Sequence, residues 1–279
     1  MFNKLLEYRQ KRIQDKVNVE LFWQKKEEIN STHYRMLEDF DKFCKKNNIE
    51  YWLEGGTLIG AHFHNGIIPW DDDLDLAMTR ENWRKLVKLN PKWNDMLLQT
   101  YGNDKNFNSI KFYKLRDKHS YINDGRFWSS KSNEHQGLFI DIFVYDDTPY
   151  SCFNENPISF KYSYIEQVLY RMFFEIFHFL PFESLRRKKI EKNECSNPEY
   201  RYMRYDLRSI NKATYNYYFE KSRVFPLSTI KFGDKEYPAP KDIEYYLNVQ
   251  YKNLVKYPPK EEQVPSHLIE YEKLSEVRK

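Results

Sequence analysis

The sequence predicts an α/β protein in which a mixed sheet is flanked by helices and followed by a helical C-terminal half. Three stretches carry that reading. Residues 27–49 place Ile29, His33, Met36, Leu37, Phe40, Phe43 and Cys44 at helical spacing, a stripe suited to packing on a sheet. Residues 71–76 read Asp-Asp-Asp-Leu-Asp-Leu, where Leu74 and Leu76 alternate with Asp73 and Asp75 at strand period. Within residues 135–146, Asp141 is the one charged residue in the apolar run from Gly137 to Tyr145, the pattern of a central strand buried on both faces.

The elements follow in order. Residues 1–26 read as a polar helical lead-in. The helix over 27–49 ends near Lys45-Lys46-Asn47-Asn48, and His33 on its apolar stripe reads as a core or boundary histidine. Tyr51-Trp52-Leu53 is a short strand, Gly55-Gly56 a strand-to-helix turn, and 57–64 a short helix. After the acidic strand, Thr79 caps a helix that Asn90-Pro91 ends. Residues 109–122 read as strand, turn and strand, with Lys114 and Arg116 on one face. Together, 27–150 form the expected catalytic core.

Residues 151–260 are expected to be part of the same domain. A wide apolar helical stripe runs from Tyr162 to Leu180 and is followed by Arg186-Arg187-Lys188-Lys189. It reads either as a core helix with a solvated basic end or as an interfacial helix with a cationic anchor. Residues 197–220 read as helical. Gly233-Asp234 marks a hairpin turn, Asp242 caps a helix to about 255, and Pro258-Pro259 stops it. Residues 261–279 are charged and read as a mobile tail.

Composition narrows the class. At 279 residues, net charge +4 and 18% aromatic residues, the chain is a well-packed globule rather than a disordered one. A pI near 8.6 does not mark a dedicated nucleic-acid binder. Cys44, Cys152 and Cys195 are odd in number and lack metal-ligand spacing, which suggests reduced thiols. Residues 1–20 are basic without an apolar h-region, and no run of about 18 apolar residues occurs. The expected location is therefore cytoplasmic, with a peripheral contact at the inner face of a membrane under the interfacial reading.

Chemistry concentrates in residues 55–76. Four of the eight glycines fall there, and four of the five residues after Trp70 are acidic. On a strand, Asp71, Asp73 and Asp75 share one face, spaced about 7 Å apart along it, and Asp72 takes the other. Such carboxylates suit hard cations, which prefer oxygen ligands. A Gly55-Gly56 turn with free backbone N–H groups is a natural phosphate cradle. Asp141 is costly in its apolar strand unless bound or paired. It reads as a metal ligand, or else as a structural carboxylate satisfied by a lysine such as Lys114 or by backbone N–H groups.

Gly56-Thr57-Leu58-Ile59-Gly60-Ala61, then His64, then Gly66 through Leu76 resembles the signature of the LicD family of phospho-alcohol transferases. The resemblance extends to Lys114-Leu115-Arg116-Asp117, to Ile140-Asp141-Ile142-Phe143 after Gly137, and to the Phe225-Pro226-Leu227 segment, hairpin and Tyr-rich helix near the C-terminus. It implies a nucleotidyltransferase-like fold and metal-dependent transfer of a phospho-alcohol, such as phosphocholine, from a CDP-activated donor to a cell-surface glycan or lipid-linked glycan. Where the family usually has Arg before the His of this segment, this chain has Phe63.

The sequence thus assigns Asp73, Asp75 and Asp141 to one or two Mg²⁺ (or Mn²⁺) ions, with Asp71 as an additional ligand or behind them. Gly55, Gly56 and Thr57 are assigned to the donor diphosphate, Lys114 and Arg116 to its charge, and His64 enters the donor site through the resemblance. Asp141 or Asp71 would accept the proton of the acceptor hydroxyl. Two alternatives share these residues: a nucleotidyltransferase adding NMP to a small molecule or RNA end, and a non-catalytic glycan- or nucleotide-binding relative.

Overall fold

The computed structural model describes residues 17–100, 113–123, 135–149, 201–205, 218–251 and 253–274. The first described helix, α1 (Val19–Lys46), begins earlier than its apolar stripe suggests because Asn18 caps it, accepting from the Leu21 N–H at 2.9 Å. Its buried face holds Phe22, Ile29, His33, Met36, Leu37, Phe40 and Cys44.

Short strand β1 (Trp52–Leu53) leads into α2 (Gly55–His64), and the acidic segment leads into β2 (Leu74–Thr79). Thr79 caps α3 (Arg80–Leu89), accepting from the Asn82 N–H at 3.3 Å, as its sequence predicts. Strands β3 (Met96–Gln99), β4 (Tyr113–Asp117), β5 (Ser120–Asn123) and β6 (Phe139–Pro149) follow. The main sheet runs β1-β2-β6-β4-β3. It is mixed: β2 and β6 are parallel, and the β1–β2, β6–β4 and β4–β3 pairs are antiparallel. Helices α1 and α3 pack on β6, and α2 and α3 on β2.

Strand β6 is central, as its apolar run requires, with Ile140, Ile142, Val144 and Tyr145 buried. Register then sets one row of polar residues across the sheet. Asp75 is paired with Asp141, Asp141 with Lys114, and Lys114 with Gln99. The rows beside it are apolar, for example Leu74, Ile140, Leu115 and Leu98.

Beyond β6 the chain departs from the sequence reading. Residues 201–205 and 218–220, expected within a helix, are strands β7 (Arg201–Tyr205) and β8 (Tyr218–Glu220), which extend the sheet from β6. The competing pull is the unpaired edge of β6 beyond Tyr145, which offers β7 its backbone groups. Then come α4 (Lys221–Val224), the hairpin β9 (Ser228–Phe232) and β10 (Lys235–Ala239), and α5 (Ile243–Gln250). The hairpin turns at Gly233 (φ +64°), and Asp242 caps α5 through the Tyr245 N–H, both as the sequence predicts.

The charged C-terminal stretch corrects the expectation of a mobile tail. Glu270–Lys273 forms β11, antiparallel to β5. Leu268 is buried with Phe22, Ile29, Ile122, Leu138 and Phe139 in a second, smaller core. The exposed charges of β11 hide the fact that its backbone is needed to satisfy β5. The apolar stripe and basic run over 162–189, with Cys152 and Cys195, lie outside the described residues. No described helix is long and apolar enough to cross a membrane.

Candidate active site

Asp73, Asp75 and Asp141 converge. One carboxylate oxygen from each lies within 4.8 Å of the others. Asp73 stands just before β2, Asp75 within it, and Asp141 at the paired position of β6. Parallel pairing without a register slip is what brings two distant parts of the chain to one point. Asp72 and Asp73 precede β2, and their carboxylates lie within 4.8 Å of each other, which corrects the expectation that strand alternation puts them on opposite faces. The buried Asp72 carboxylate accepts from the backbone N–H groups of Ser266, His267 and Leu268 at 3.2, 2.8 and 2.7 Å.

The glycine turn is built around the acids. Gly55 has φ +48°, and a Cβ there would lie 2.7 Å from Asp75 Oδ2. A Cβ on Gly56 would lie 2.7 Å from Asp71 Oδ2. The glycines are thus required for close approach of carboxylates. This corrects the expectation of free N–H groups, since the Gly56 N–H donates to Asp75 Oδ2 at 3.2 Å. Thr57 is buried, and its hydroxyl accepts from the Asp75 N–H at 2.7 Å. The Glu54 N–H donates to the Asp75 carbonyl at 3.1 Å. In this structure the turn therefore fixes strand β2 and its acids.

Burial raises the Asp75 carboxyl well above the usual carboxylate range, and the charges of Asp73, Asp141 and Glu54 add to it. Asp71 is raised likewise by burial and then by Asp73, Asp72 and Asp75. Ionising all of these needs a positive charge among them. An all-oxygen set of three carboxylates fits a hard divalent ion such as Mg²⁺ or Mn²⁺.

Part of that charge is already supplied. Lys114 Nζ lies 2.5 Å from Asp141 Oδ1 and 3.1 Å from the centre of the Phe139 ring. Arg116 Nε donates to Gln99 Oε1 at 3.0 Å, and its Nη1 donates to the Gly137 carbonyl at 2.9 Å. Both cations are only 2% exposed. The two cations expected to balance the donor diphosphate are thus buried beside the Phe139 ring, and register pairs Lys114 with Asp141. Asp141 thus joins the acidic cluster and also pairs with a lysine.

His64 stands at the end of α2, with ring neighbours Trp70 at 5.8 Å and Tyr257 at 5.4 Å. It lines a cavity of about 360 Å³ together with Ile59, Trp70, Gln250, Asn253 and Lys256. Its Nε2 is buried without a partner among the described residues, and burial lowers its pKa. Trp70, which lines the same cavity, is the chain neighbour of Asp71. Phe63 is half-buried and packs on the His62 ring.

Two residues were missed in the sequence. Glu54 is 2% exposed and accepts from Tyr145 Oη at 2.9 Å, Tyr246 Oη at 2.6 Å, Trp52 Nε1 at 3.2 Å and the Gln250 amide. Its carboxyl is raised by burial despite those bonds. The signal was available: an acid beside an apolar strand carries the same cost that singled out Asp141. His267 is the second, with Nδ1 3.2 Å from Asp72 Oδ1 and 3.3 Å from Asp73 Oδ2. Nothing local in its charged segment marks it.

Comparison with known proteins agrees with this geometry. Residues 48–185 match the family described as LicD/FKTN/FKRP, nucleotidyltransferase domain. The lipopolysaccharide cholinephosphotransferase LicD of Haemophilus influenzae is 33% identical over 119 residues, 41% of this chain and 42% of that protein. An uncharacterized protein of Rickettsia prowazekii is 33% identical over 123 residues, 42% of this chain and 43% of its own length. Human ribitol 5-phosphate transferase FKRP is 56% identical over 34 residues, 12% of this chain and 7% of that protein. The match thus spans less than half the length of the two bacterial relatives.

Proposed function

Because residues 48–185 match the LicD/FKTN/FKRP nucleotidyltransferase domain, we propose that the protein is a metal-dependent transferase of phospho-alcohols. It moves phosphocholine or a similar group from a CDP-activated donor to a hydroxyl of a glycan or lipid-linked glycan, working in the cytoplasm or at the inner face of a membrane. The observation that carries this reading is the convergence of Asp73, Asp75 and Asp141 beside the Gly55-Gly56 turn.

Asp73, Asp75 and Asp141 hold the divalent ion. Once bound, the ion supplies Lewis-acid polarisation of the donor phosphates. Asp71 is the better placed base. Asp141 is already paired with Lys114, which leaves Asp71 for this role. The acceptor oxygen attacks the phosphorus that bears the alcohol. Its proton passes to Asp71, the pyrophosphate P–O bond breaks, and CMP leaves with the bonding electrons. Lys114 holds Asp141 in place. The cavity lined by His64 and Trp70, the chain neighbour of Asp71, offers room for a substrate group.

Calorimetry with CDP-choline, CDP-ribitol, CDP-glycerol and plain CTP, each with and without Mg²⁺, tests the reading. Mg²⁺-dependent binding of one CDP-alcohol, followed by CMP release with a glycan acceptor, is the expected result. Binding of CTP alone, with release of pyrophosphate, would turn the assignment to NMP transfer.

A further inference from the structure

The C-terminal segment reaches the acidic cluster from outside the residues that match the family. Three consecutive backbone N–H groups, of Ser266, His267 and Leu268, converge on the Asp72 carboxylate. Leu268 anchors the segment in the smaller core, and its carbonyl accepts from the Asn18 N–H at 2.8 Å. Strand β11 pins the residues that follow to β5. The result is a strap fastened across the start of β2.

Asp72, Asp73 and His267 together have the spacing of a cation site. The hydrogen-bond census argues against one. A carboxylate has about four lone-pair positions. Asp72 already receives three backbone N–H groups and the imidazole Nδ1. It has no capacity left for a metal. The imidazole therefore serves there as a hydrogen-bonding partner of the carboxylates rather than as a metal ligand.

Its tautomer follows from its neighbours. Nδ1 lies between Asp72 Oδ1 and Asp73 Oδ2, at 3.2 and 3.3 Å. Ionised carboxylates only accept, so Nδ1 carries the hydrogen and is shared between them. Asp73 is otherwise close to Asp75 and Asp141, which repel it. The ring itself is held edge-on to Phe139, with centroids 5.9 Å apart, and its side chain is 27% exposed. Phe139 is the ring under Lys114 and Arg116, so the imidazole rests on a fixed surface.

We propose that His267 is a positioning residue of the active site: its Nδ1–H aims the Asp73 carboxylate at the divalent ion, and the strap fastened on Asp72 delivers it. This rests on the reading that Asp73 and Asp75 hold such an ion. Residues that orient metal ligands typically contribute 10–100-fold in metal affinity.

The test is Mn²⁺ binding to the full chain, read by calorimetry and by the paramagnetic resonance of free Mn²⁺, with melts in EDTA for each variant. Asp75→Asn is expected to lose binding. His267→Leu, apolar and without a donor, is expected to bind about 10–100-fold more weakly than the wild type. His267→Asn, whose amide N–H falls near the place of Nδ1, is expected to recover most of that loss while melting like His267→Leu. Wild-type affinity in His267→Leu, or equal weakness in the Leu and Asn variants, overturns the role of His267 while leaving the metal reading intact. A wild type that binds no Mn²⁺, or an Asp75→Asn variant that binds as the wild type does, overturns the metal reading and this inference with it. If His267→Leu does not fold, His267→Asn and His267→Gln carry the comparison. The longer Gln moves the N–H by one bond and should bind more weakly, and equal affinities overturn the proposal.

Discussion

Lys114 and Asp141 are register partners on β4 and β6, and their charged ends meet at 2.5 Å, almost wholly removed from solvent. Breaking one side of such a pair leaves an unpaired buried charge. Asp141→Asn and Lys114→Met should therefore each cost about 3–5 kcal/mol in the absence of metal. The double variant should recover much of that loss, because a neutral pair strands no charge. It should still fail to transfer, since a ligand is gone. Urea unfolding of the three variants in EDTA measures the coupling, and additive losses would mean that the pair is not acting as a unit.

Asp73→Asn and Asp75→Asn should each lower turnover by at least ~100-fold, because electrostatic stabilisation of a transferred phosphoryl group is worth several kcal/mol. For Asp75 the loss should come without loss of stability. Its carboxyl is raised by burial and by neighbouring acids, so a neutral amide relieves repulsion, and the Gly56 N–H keeps an acceptor. The expected melt of Asp75→Asn in EDTA is unchanged or higher. CMP release near the wild-type rate in either variant would remove these residues from the site.

Gly55→Ala tests whether the turn exists to admit the acids. The new methyl would meet Asp75 Oδ2 at 2.7 Å, and a positive φ costs an L-residue about 1–2 kcal/mol. Gly56→Ala carries no such backbone strain but meets Asp71 Oδ2 at the same distance. Both should lose activity, and Gly55→Ala should also melt lower. Full activity in both would show that the carboxylates do not need this approach.

His33 provides the pH prediction. Burial pushes its pKa down to about 4, with the charges of Asp72 and Asp117 offsetting part of the effect. The unfolded chain binds a proton near pH 6.5, while the folded chain does so only near pH 4. Between these values the unfolded state holds more protons, so stability from this residue falls as pH drops from about 6.5 to about 4. His33→Met should flatten that part of the stability profile relative to the wild type. Parallel profiles for the two proteins would show that His33 is not buried as a neutral ring.

Much of the site was legible in the chain because local rules suffice for it. Alternation puts Asp75 on a defined face of its strand, although it fails for Asp72 and Asp73, which precede β2 and lie together. The apolar run around Asp141 requires a central strand. Thr79, Gly233 and Asp242 mark their cap and turn positions by residue type alone. Glu54 was legible by the same cost argument as Asp141. The helical reading of 197–220 failed at 201–205 and 218–220 because strand pairing, of β7 to β6 and of β8 to β7, decides those backbones, and pairing is not a local property.

The sequence by itself determined the kind of chemistry: acids at strand spacing, glycines where carboxylates crowd the backbone, and one costly acid in a buried strand. Tertiary structure alone decided which groups meet. Register across β2, β6 and β4 made Asp75, Asp141 and Lys114 neighbours, turning an expected phosphate ligand into the partner of an expected metal ligand. The C-terminal strap likewise brought His267 to Asp73. The reason is physical. A side chain's direction follows from its own backbone, but its partner follows from the pairing of distant strands, where burial makes an unmatched charge too costly to leave alone.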